Sequence, residues 1–382
     1  MPDLHGGKYE TPYNNLAEPL AGYDRGGYCP VHIGERFKAG RYEVQAKLGF
    51  GDSSTVWLAR DHEQSRWVAL KVKMADARPH TEHTVLEHLR RRAGSQSLES
   101  SVVRFFDTFL FSGTNGMHRC LVLELLGPDV VTAARALCSD DRFPAARAAA
   151  ISKQLLHALQ FVHAGDVWHL NIKRNKILLH LPHLQSLDKE TIVQHYGIPQ
   201  RRNVSRIDGD SHHLGVPYYL VDVAVLDPLQ YQNFANVKLV GFNQSHHSLN
   251  SSMLRRPKVN QAIDINVRFT DLIIPPPESH KKLFGAHTDI WLAGYVDDAL
   301  NMFGTWPDRL KEYRPSGETT SLGEEFVADY LAPKTGRTMH ESKHRLLVDV
   351  GGVLAKMMLA EPGDRVTAAE ALRELRDVFG RR

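Results

Sequence analysis

The sequence is short of cysteine and of long apolar runs, and it has no strong excess of either charge. Its 382 residues include three cysteines, Cys29, Cys120 and Cys138, whose spacing fits neither a metal site nor a disulfide framework. No stretch approaches the roughly 20 apolar residues that span a bilayer, and the first residues lack the apolar core of a signal peptide. We therefore expect no membrane association and an intracellular protein, in the cytoplasm or the nucleus.

The charge is nearly balanced, with 47 basic and 44 acidic residues and a formal net charge of +3. This balance argues against direct binding of nucleic acid, because such proteins neutralise phosphates with a large basic surface. The basic run 90–92 lies in a helical pattern and is interpreted as a solvated helix face. The 21 histidines include pairs at 212–213 and 246–247, which lie in loop-like segments and lack helical i, i+4 spacing. We therefore expect no metal site.

Apolar patterning divides the chain into an N-terminal arm (1–39), a strand-rich lobe (40–127) and a mainly helical lobe (128–380). At the start of the strand-rich lobe, apolar and polar residues alternate, break at glycines and resume, which predicts three strands. A helical period follows from about Thr81. Residues 180–236 are rich in His, Asp, Gly and Pro and are predicted to form an irregular insert. Strands followed by helices favour an α+β fold in two lobes.

A glycine-rich loop precedes a lysine on a predicted strand and a glutamate on a predicted helix. Gly49 and Gly51 in "LGFGDSSTVW" would let backbone N–H groups approach a phosphate. Lys71 in "VALKV" can pair with nucleotide phosphates when a carboxylate orients it, and Glu82 is the candidate carboxylate. A hairpin turn and a surface glutamate would explain each feature alone. Their order along the chain favours a nucleotide site.

These motifs resemble the eukaryotic protein kinases, and within them the SR-protein kinases, which phosphorylate Ser/Arg-rich splicing factors. An ordered set of segments over about residues 28–380 carries the resemblance: "YCPVHIGERFKAGRY", "KLGFGDSSTVWLARD", "VALKV", "LVLELLGPDV" and "AISKQLLHALQFVHA". Pro277-Glu278, Asp289 to Trp291 and Arg365 match three further scaffold positions. In the family, this Glu and Arg form a buried ion pair, and the Asp anchors the catalytic loop. The resemblance implies a bilobal kinase fold, with a β-rich N-lobe and a mainly helical C-lobe, and ATP as the ligand.

The resemblance also places an adenine site. It implies an apolar sandwich of Val56, Ala69 and Leu178, and a hinge from Glu124 to Leu126 that reads adenine through backbone groups. Leu123 takes the gatekeeper position before this hinge. The nucleotide-binding residues so implied are Gly49, Gly51, Val56, Ala69, Lys71, Glu82, Glu124, Leu126 and Leu178.

Three positions that carry the family's chemistry are replaced in "HLNIKRNKILL" and "KLVGFNQS". Asn171 replaces the catalytic Asp, although Lys173 is kept. An amide cannot accept a proton at neutral pH, and losing a general base costs about 10²- to 10⁴-fold in rate. Lys176 and Gly241 replace the two magnesium ligands, and an ammonium repels that ion. We therefore predict a pseudokinase, and we do not expect these positions to bind magnesium.

Three interpretations of function stay open. In the first, the chain binds a nucleotide or a protein partner, either a Ser/Arg-rich protein or another kinase, and Lys176 supplies the charge that magnesium would bring. In the second, it is an active Ser/Thr kinase that uses ATP, with Asp166, Glu190 or another carboxylate in place of the lost groups. In the third, it is a relic that does not fold.

The family's substrate-docking features are reduced in this sequence. Acidic residues of the insert are sparse, so we expect no groove for Arg-rich peptides; examples are Asp188, Glu190, Asp208 and Asp210. The family's segment after "TDIWLAG" is missing around Gly294–Tyr295, which predicts a shortened C-lobe. Either residues 289–304 form one merged helix, or the gene product is degenerate.

Overall fold

The computed structural model of the chain describes residues 9–10, 16–76, 81–94, 101–139, 141–208, 210–247, 276, 284–297, 352–354, 356–358 and 362–380. The strands are, in chain order, β1 (Tyr9–Glu10), β2 (Arg36–Phe37), β3 (Tyr42–Gly51), β4 (Ser54–Asp61), β5 (Arg66–Lys73), β6 (Phe105–Gly113), β7 (Gly116–Glu124), β8 (Val167–Trp168), β9 (Ile177–His180), β10 (Arg201–Asn203), β11 (Ser205–Arg206), β12 (Tyr219–Val221), β13 (Asn236–Leu239) and β14 (His246–His247). The helices are α1 (Thr81–Ala93), α2 (Val130–Leu137), α3 (Ala145–His163), α4 (Lys189–Tyr196), α5 (Ala286–Asp297) and α6 (Ala368–Gly380). None of these described helices has the length and hydropathy needed to cross a membrane.

The chain divides into two units. The first consists of Met1–His83, Val103–Pro128 and His180–Phe234, and the second of Thr84–Val102, Asp129–Leu179 and Ala235–Arg382.

A six-stranded antiparallel sheet organises the first unit, in the order β2-β3-β4-β5-β7-β6. Alternation along β5 explains why the sheet forms, since Val68, Leu70 and Val72 are buried in the core that Tyr42 and Trp57 share. Burying each such side chain contributes about 1.5–3 kcal/mol. The alternate residues of β5 take the opposite face. The three strands predicted from alternation are therefore confirmed as β3, β4 and β5.

A buried ion pair fastens the N-terminal arm to this sheet. Lys47 and Glu18 pair with fully buried side chains, and the hydroxyl of Tyr23 donates to the same carboxylate. The Lys47 ammonium also donates to the carbonyl of Val221 (2.9 Å) and lies 5.0 Å from the ring centre of Trp57. Burial lowers the pKa of Lys47, and the Glu18 carboxylate opposes that shift. This network was not predicted from the sequence.

Residues 180–234 contain more regular structure than the irregular insert that the sequence predicted, and by their contacts they belong to the first unit. Helix α4 begins after Asp188, whose carboxylate accepts from the Thr191 N–H (2.7 Å). Strand β10 pairs with β12, and β11 pairs with β1 of the arm. The Trp67 indole donates to the Leu187 carbonyl (2.8 Å). Contacts with the arm and the sheet thus order these residues. The sequence did not predict their structure because such short elements show no periodic pattern.

Helix α3 is central to the second unit and confirms the helix predicted before Gly165. Its buried residues follow helical spacing: Ala148, Ile151, Leu155, Leu159 and Val162. It packs against α5 and α6, where Arg376 of α6 hydrogen-bonds to His157 of α3 (2.9 Å). The Gly165 N–H closes the helix by donating to the Val162 carbonyl (3.0 Å).

Helix α5 runs without a break through Gly294 and Tyr295, where the resemblance predicts a missing segment. A Cβ atom added to Gly294 would lie 2.8 Å from Cγ of Met358, so the helix approaches the 356–358 segment closely. The predicted merged helix 289–304 extends beyond the described residues, which stop at 297 in this region.

Arg365 lies beside α5. Its guanidinium donates to the His287 carbonyl (3.0 Å) and lies 4.9 Å from a ring centre of Trp291. Glu278, the partner that the resemblance implies for Arg365, lies outside the described residues.

Candidate functional site

The glycine loop is a hairpin between β3 and β4. Gly49 pairs with Val56, and Gly51 pairs with Ser54. A Cβ atom added to either glycine would meet nothing within 4 Å, and neither glycine has a positive φ. The Tyr28 hydroxyl of the arm donates to the Gly51 carbonyl (2.9 Å). Neither packing nor backbone strain therefore requires glycine here, and the loop keeps open backbone that a ligand can approach.

Lys71 and Glu82 form the pair that their order in the sequence predicted. The Lys71 ammonium lies 2.7 and 2.8 Å from the two carboxylate oxygens of Glu82. The two side chains are 13% and 3% exposed, so the lysine end of the pair retains access to solvent. An ammonium oriented in this way can bind the phosphates of a nucleotide.

A second lysine, missed by the sequence reasoning, contacts the same carboxylate. The Lys73 ammonium lies 3.7 Å from Glu82 and donates to the Ser53 hydroxyl of the glycine loop (3.0 Å). The signal was present in "LKVK", since residues two apart on a strand share a face. It was overlooked because the resemblance assigned a role only to the first of these lysines.

An apolar strip lies beside Lys71 on the same face of the sheet. Val56 pairs with Lys71 across β4 and β5, and Ala69 pairs with both Leu58 and Leu123 on its two sides. Residues directly opposite in a sheet present their side chains to one face. This strip fits the first-unit part of the apolar sandwich that the resemblance implies for adenine.

The hinge is fixed by its own side chains. The Glu124 carboxylate accepts from the Arg104 N–H (2.5 Å) and lies 3.7 Å from Nε2 of His180. Leu126 is also buried. Because the Glu124 carboxylate is used within the protein, only backbone groups of this segment fit the adenine-reading role that the resemblance implies.

In the second unit, a buried carboxylate holds the loop that contains Asn171. Asp289 of α5 accepts from the backbone N–H groups of His169 (2.8 Å) and Leu170 (2.7 Å), and lies 3.0 Å from Nε2 of His163. Leu170 has a φ of +58°, a left-handed conformation that non-glycine residues rarely adopt. The carboxylate thus maintains a strained turn, which is the anchoring role that the resemblance implied for Asp289.

The same loop is fixed from its other side by His169. Nδ1 of His169 accepts from the Asn171 N–H (3.3 Å), so Nε2 is the atom that donates to the Val240 carbonyl (3.0 Å). The His169 ring meets the Phe242 ring edge-on, with centres 4.7 Å apart. Asn171 is buried in this arrangement. The loop therefore keeps its backbone structure with an amide in the position of the general base.

Lys176 and Gly241 pack directly against each other. Gly241 has a φ of +86°, and a Cβ atom added to it would lie 2.8 Å from Cδ and 3.3 Å from Cε of Lys176. Backbone bonds hold this contact: the Lys176 N–H donates to the Lys173 carbonyl (2.8 Å), and the Val240 N–H donates to the Lys176 carbonyl (2.9 Å). The stem of the lysine therefore fills the space where a side chain at position 241 would begin.

The residues at these two positions do not fit magnesium. Neither side chain offers an oxygen ligand, which that ion requires. Within the described ranges, no group of three or more His, Cys, Asp or Glu side chains could hold a metal ion.

The predicted site residues fall into two sets. The first unit contains Gly49, Gly51, Val56, Ala69, Lys71, Glu82, Glu124 and Leu126, of which Lys71, Glu82, Val56 and Gly49 are linked by direct contact or strand pairing. The second unit contains Asn171, Lys173, Lys176, Leu178 and Gly241. Leu178 is half-buried on β9 and forms an isolated antiparallel bridge with Asp129.

Comparison with known proteins gives consistent matches. Residues 42–188 match the protein kinase domain. Mouse (Mus musculus) SRSF protein kinase 3 is 39% identical over 186 residues, covering 44% of this chain and 32% of that protein. Protein kinase dsk1 of Schizosaccharomyces pombe is 35% identical over 164 residues, covering 41% and 30%. Serine/threonine-protein kinase spk-1 of Caenorhabditis elegans is 32% identical over 211 residues, covering 53% and 20%. The match thus spans about a third or less of the length of these curated relatives.

The geometry agrees with these matches. The antiparallel sheet carries the glycine hairpin and the Lys71–Glu82 pair, and the loop at His169 is held by Asp289. Residues 42–188 are therefore similar to a protein kinase domain, and SRSF protein kinase 3 is among the proteins to which this chain is similar.

Proposed function

We propose that this chain is a pseudokinase, which binds a nucleotide without magnesium and acts through a protein partner. The observation that carries the proposal is the packing of Lys176 against Gly241. It places an ammonium-bearing side chain over the position that the resemblance assigns to a magnesium-binding carboxylate. An ammonium can provide positive charge to phosphates without the coordination geometry that the metal needs.

The first unit supports the binding part of this proposal. The Lys71–Glu82 pair is intact, the apolar strip at Val56 and Ala69 lies beside it, and Gly49 and Gly51 leave open backbone. Nucleotide sites combine apolar walls with a few placed polar groups.

The second unit supports the absence of phosphoryl transfer. Asn171 cannot act as the general base, which removes about 10²- to 10⁴-fold in rate. Metal neutralisation of the transferring phosphate contributes several kcal/mol in enzymes that use it, and the residues at 176 and 241 do not fit the ion. From a normal kinase turnover of about 1–100 per second, these losses leave almost no transfer.

Thermal-shift titration with ATP, in EDTA and in magnesium, tests the proposal. A ligand that binds the native state raises the melting temperature by mass action. We expect an ATP-dependent shift in EDTA that is as large as the shift in magnesium. It should be lost in Lys71→Met, reduced in Lys176→Met and kept in Lys189→Met, which changes an exposed lysine of the same chain. A shift that requires magnesium would overturn the proposal.

The partner that we propose is a Ser/Arg-rich protein, on the strength of the SR-protein-kinase relatives. The insert itself offers few acidic groups for it, because Asp208 and Asp210 pair with Arg206 and Asp188 caps α4. We therefore expect weak, salt-sensitive binding. Fluorescence anisotropy with an Arg-Ser repeat peptide, compared with a Lys-Ser repeat of equal charge, tests this preference, and equal affinities would contradict it.

An active Ser/Thr kinase is the second candidate, supported by the intact Lys71–Glu82 pair and by the relatives' names. Of the two carboxylates suggested as substitutes, Asp166 is exposed on the turn after α3, and Glu190 is exposed in the first turn of α4. Transfer of labelled γ-phosphate from ATP to the Arg-Ser peptide, abolished by Lys71→Ala, would establish this candidate and exclude the pseudokinase.

A further inference from the structure

Strand β5 places two lysines against one carboxylate. Lys71 and Lys73 are alternate residues of the strand and share its face. The ammonium of Lys71 lies 2.7 Å from Glu82, and that of Lys73 lies 3.7 Å from it. The Lys73 and Glu82 side chains are each only 3% exposed, whereas Lys71 is 13% exposed. Lys71, the more accessible lysine, therefore has the shorter contact with Glu82, and the more buried Lys73 has the longer one.

Lys73 also contacts the glycine loop. Its ammonium donates to the Ser53 hydroxyl (3.0 Å), while the Met74 N–H donates to the Ser53 carbonyl (2.9 Å). The segment between Gly51 and Ser54, which closes the hairpin, is thus attached to β5 through the Lys73 side chain and to the residue after β5 through the backbone. Lys73 links the loop to the carboxylate that orients Lys71.

A phosphate that binds Lys71 competes with Glu82 for the lysine's ammonium. Removing one partner from a buried ion pair is strongly destabilising, because the remaining charge is left in a poorly solvated site. Lys73 already lies 3.7 Å from Glu82, so a small rotation brings it to hydrogen-bond distance. Glu82 can then keep a cationic partner while Lys71 engages the phosphate.

We propose that Lys73 is a positioning residue for phosphate binding, which holds Glu82 and Ser53 while Lys71 contacts the polyphosphate of a nucleotide. This inference rests on the proposed nucleotide binding. It adds a second lysine to the site, two residues after Lys71. It assigns that lysine a role in a chain whose magnesium positions lack oxygen ligands.

Isothermal titration in EDTA with ATP, adenosine and inorganic tripolyphosphate separates this role from a general effect on folding. Lys73→Met should weaken ATP and tripolyphosphate about tenfold, equivalent to about 1.4 kcal/mol, and leave adenosine within about twofold, since adenosine has no phosphate for Lys71 to bind. Lys189→Met, a change of an exposed lysine, should alter none of the three affinities.

Ser53→Ala gives a second, milder test, because it removes only the contact between Lys73 and the loop. We expect about a threefold loss of ATP affinity, equivalent to about 0.7 kcal/mol, with adenosine unchanged. If Lys73→Met does not fold, this variant decides the question.

A failure of the proposed function can be distinguished from a failure of the role of Lys73. If the wild-type chain binds neither ATP nor tripolyphosphate in EDTA, the proposed function and this inference both fall. If the wild type binds ATP but Lys73→Met and Ser53→Ala bind it equally well, only the role of Lys73 is refuted. A loss in Lys73→Met that is equal for ATP and adenosine also refutes it, since that pattern reports damage to the site as a whole.

Discussion

Replacing Asp289 with alanine should release the loop around His169. The carboxylate is fully buried and accepts from two consecutive backbone N–H groups, at 2.8 and 2.7 Å, as well as contacting His163. The same hydrogen bonds offset the conformational cost of the left-handed backbone of Leu170, whose φ is +58°. One substitution therefore removes the acceptors for both donors and frees a strained residue.

The magnitude follows from these contacts. His169 and Leu170 are fully buried, so each orphaned N–H costs about 1–3 kcal/mol. Relaxation of Leu170 out of the left-handed region returns about 1–2 kcal/mol. We expect a net loss of about 3 kcal/mol, or about a hundredfold in the local opening equilibrium. Asp289→Asn keeps the shape and one acceptor oxygen but turns an NH₂ group toward the other donors, so it should recover at most half of the loss.

Hydrogen exchange of the peptide 165–172, followed by mass spectrometry, measures local opening, and urea denaturation measures the global effect. Exchange in Asp289→Ala should be about a hundredfold faster than in wild type, in line with the 3 kcal/mol loss. Glu190→Ala, at an exposed surface position, should change stability by less than about 0.5 kcal/mol. Unchanged exchange of this peptide in Asp289→Ala would refute the reasoning that Asp289 maintains the turn.

Three further predictions concern other buried contacts. Gly241→Asp should lower the free energy of unfolding by about 2 kcal/mol, because it puts a side chain at positive φ and against Lys176. Adding Lys176→Ala should recover at least half of that loss. Additive losses in a urea double-mutant cycle would contradict the packing of Lys176 against residue 241. Lys47→Met should cost about 3–5 kcal/mol by leaving Glu18 buried without its ammonium partner. The double variant with Glu18→Leu should recover most of that loss in thermal unfolding, and no recovery would contradict the pairing. Burial lowers the pKa of His118 below 6.5, so the unfolded state takes up the proton before the folded state does. The free energy of unfolding should therefore fall as the pH drops below about 6.5, by up to about 1.4 kcal/mol per pH unit for this group. Urea midpoints between pH 7.5 and 5.0 should show a shallower slope in His118→Phe, and an unchanged slope would exclude His118 as a contributor.

Local features of the fold were predictable from the sequence. Alternation located β3, β4 and β5, and helical spacing located α1 and α3. The Lys71–Glu82 pair was also accessible, because a lysine on one strand and a glutamate at the start of the next helix are close in the chain. In each case the signal comes from residues on one element or on two consecutive elements.

Contacts between distant parts of the chain were not predictable. Periodicity shows which face of an element is buried but not which segment covers it, so it could not pair Lys47 with Glu18 or place Leu187 against Trp67. The contact between Lys176 and Gly241 was hidden for the same reason. Motif comparison identified both residues as replacements, and only the structure relates one replacement to the other.

The buried Lys47 has a consequence for synthesis of the chain. Its partner carbonyl at Val221 is 174 residues further along. At about 5–20 residues per second, the ribosome needs roughly 9–35 s to pass from one to the other. During that interval Glu18, Lys47 and Trp57 have been made, but the Val221 carbonyl to which the Lys47 ammonium donates has not. All six strands of the N-terminal sheet are made once residue 124 has been added, but the sheet's core lacks Val221 until the stretch 180–234 emerges. This exposed part of the core makes the growing chain a candidate for chaperone binding during translation.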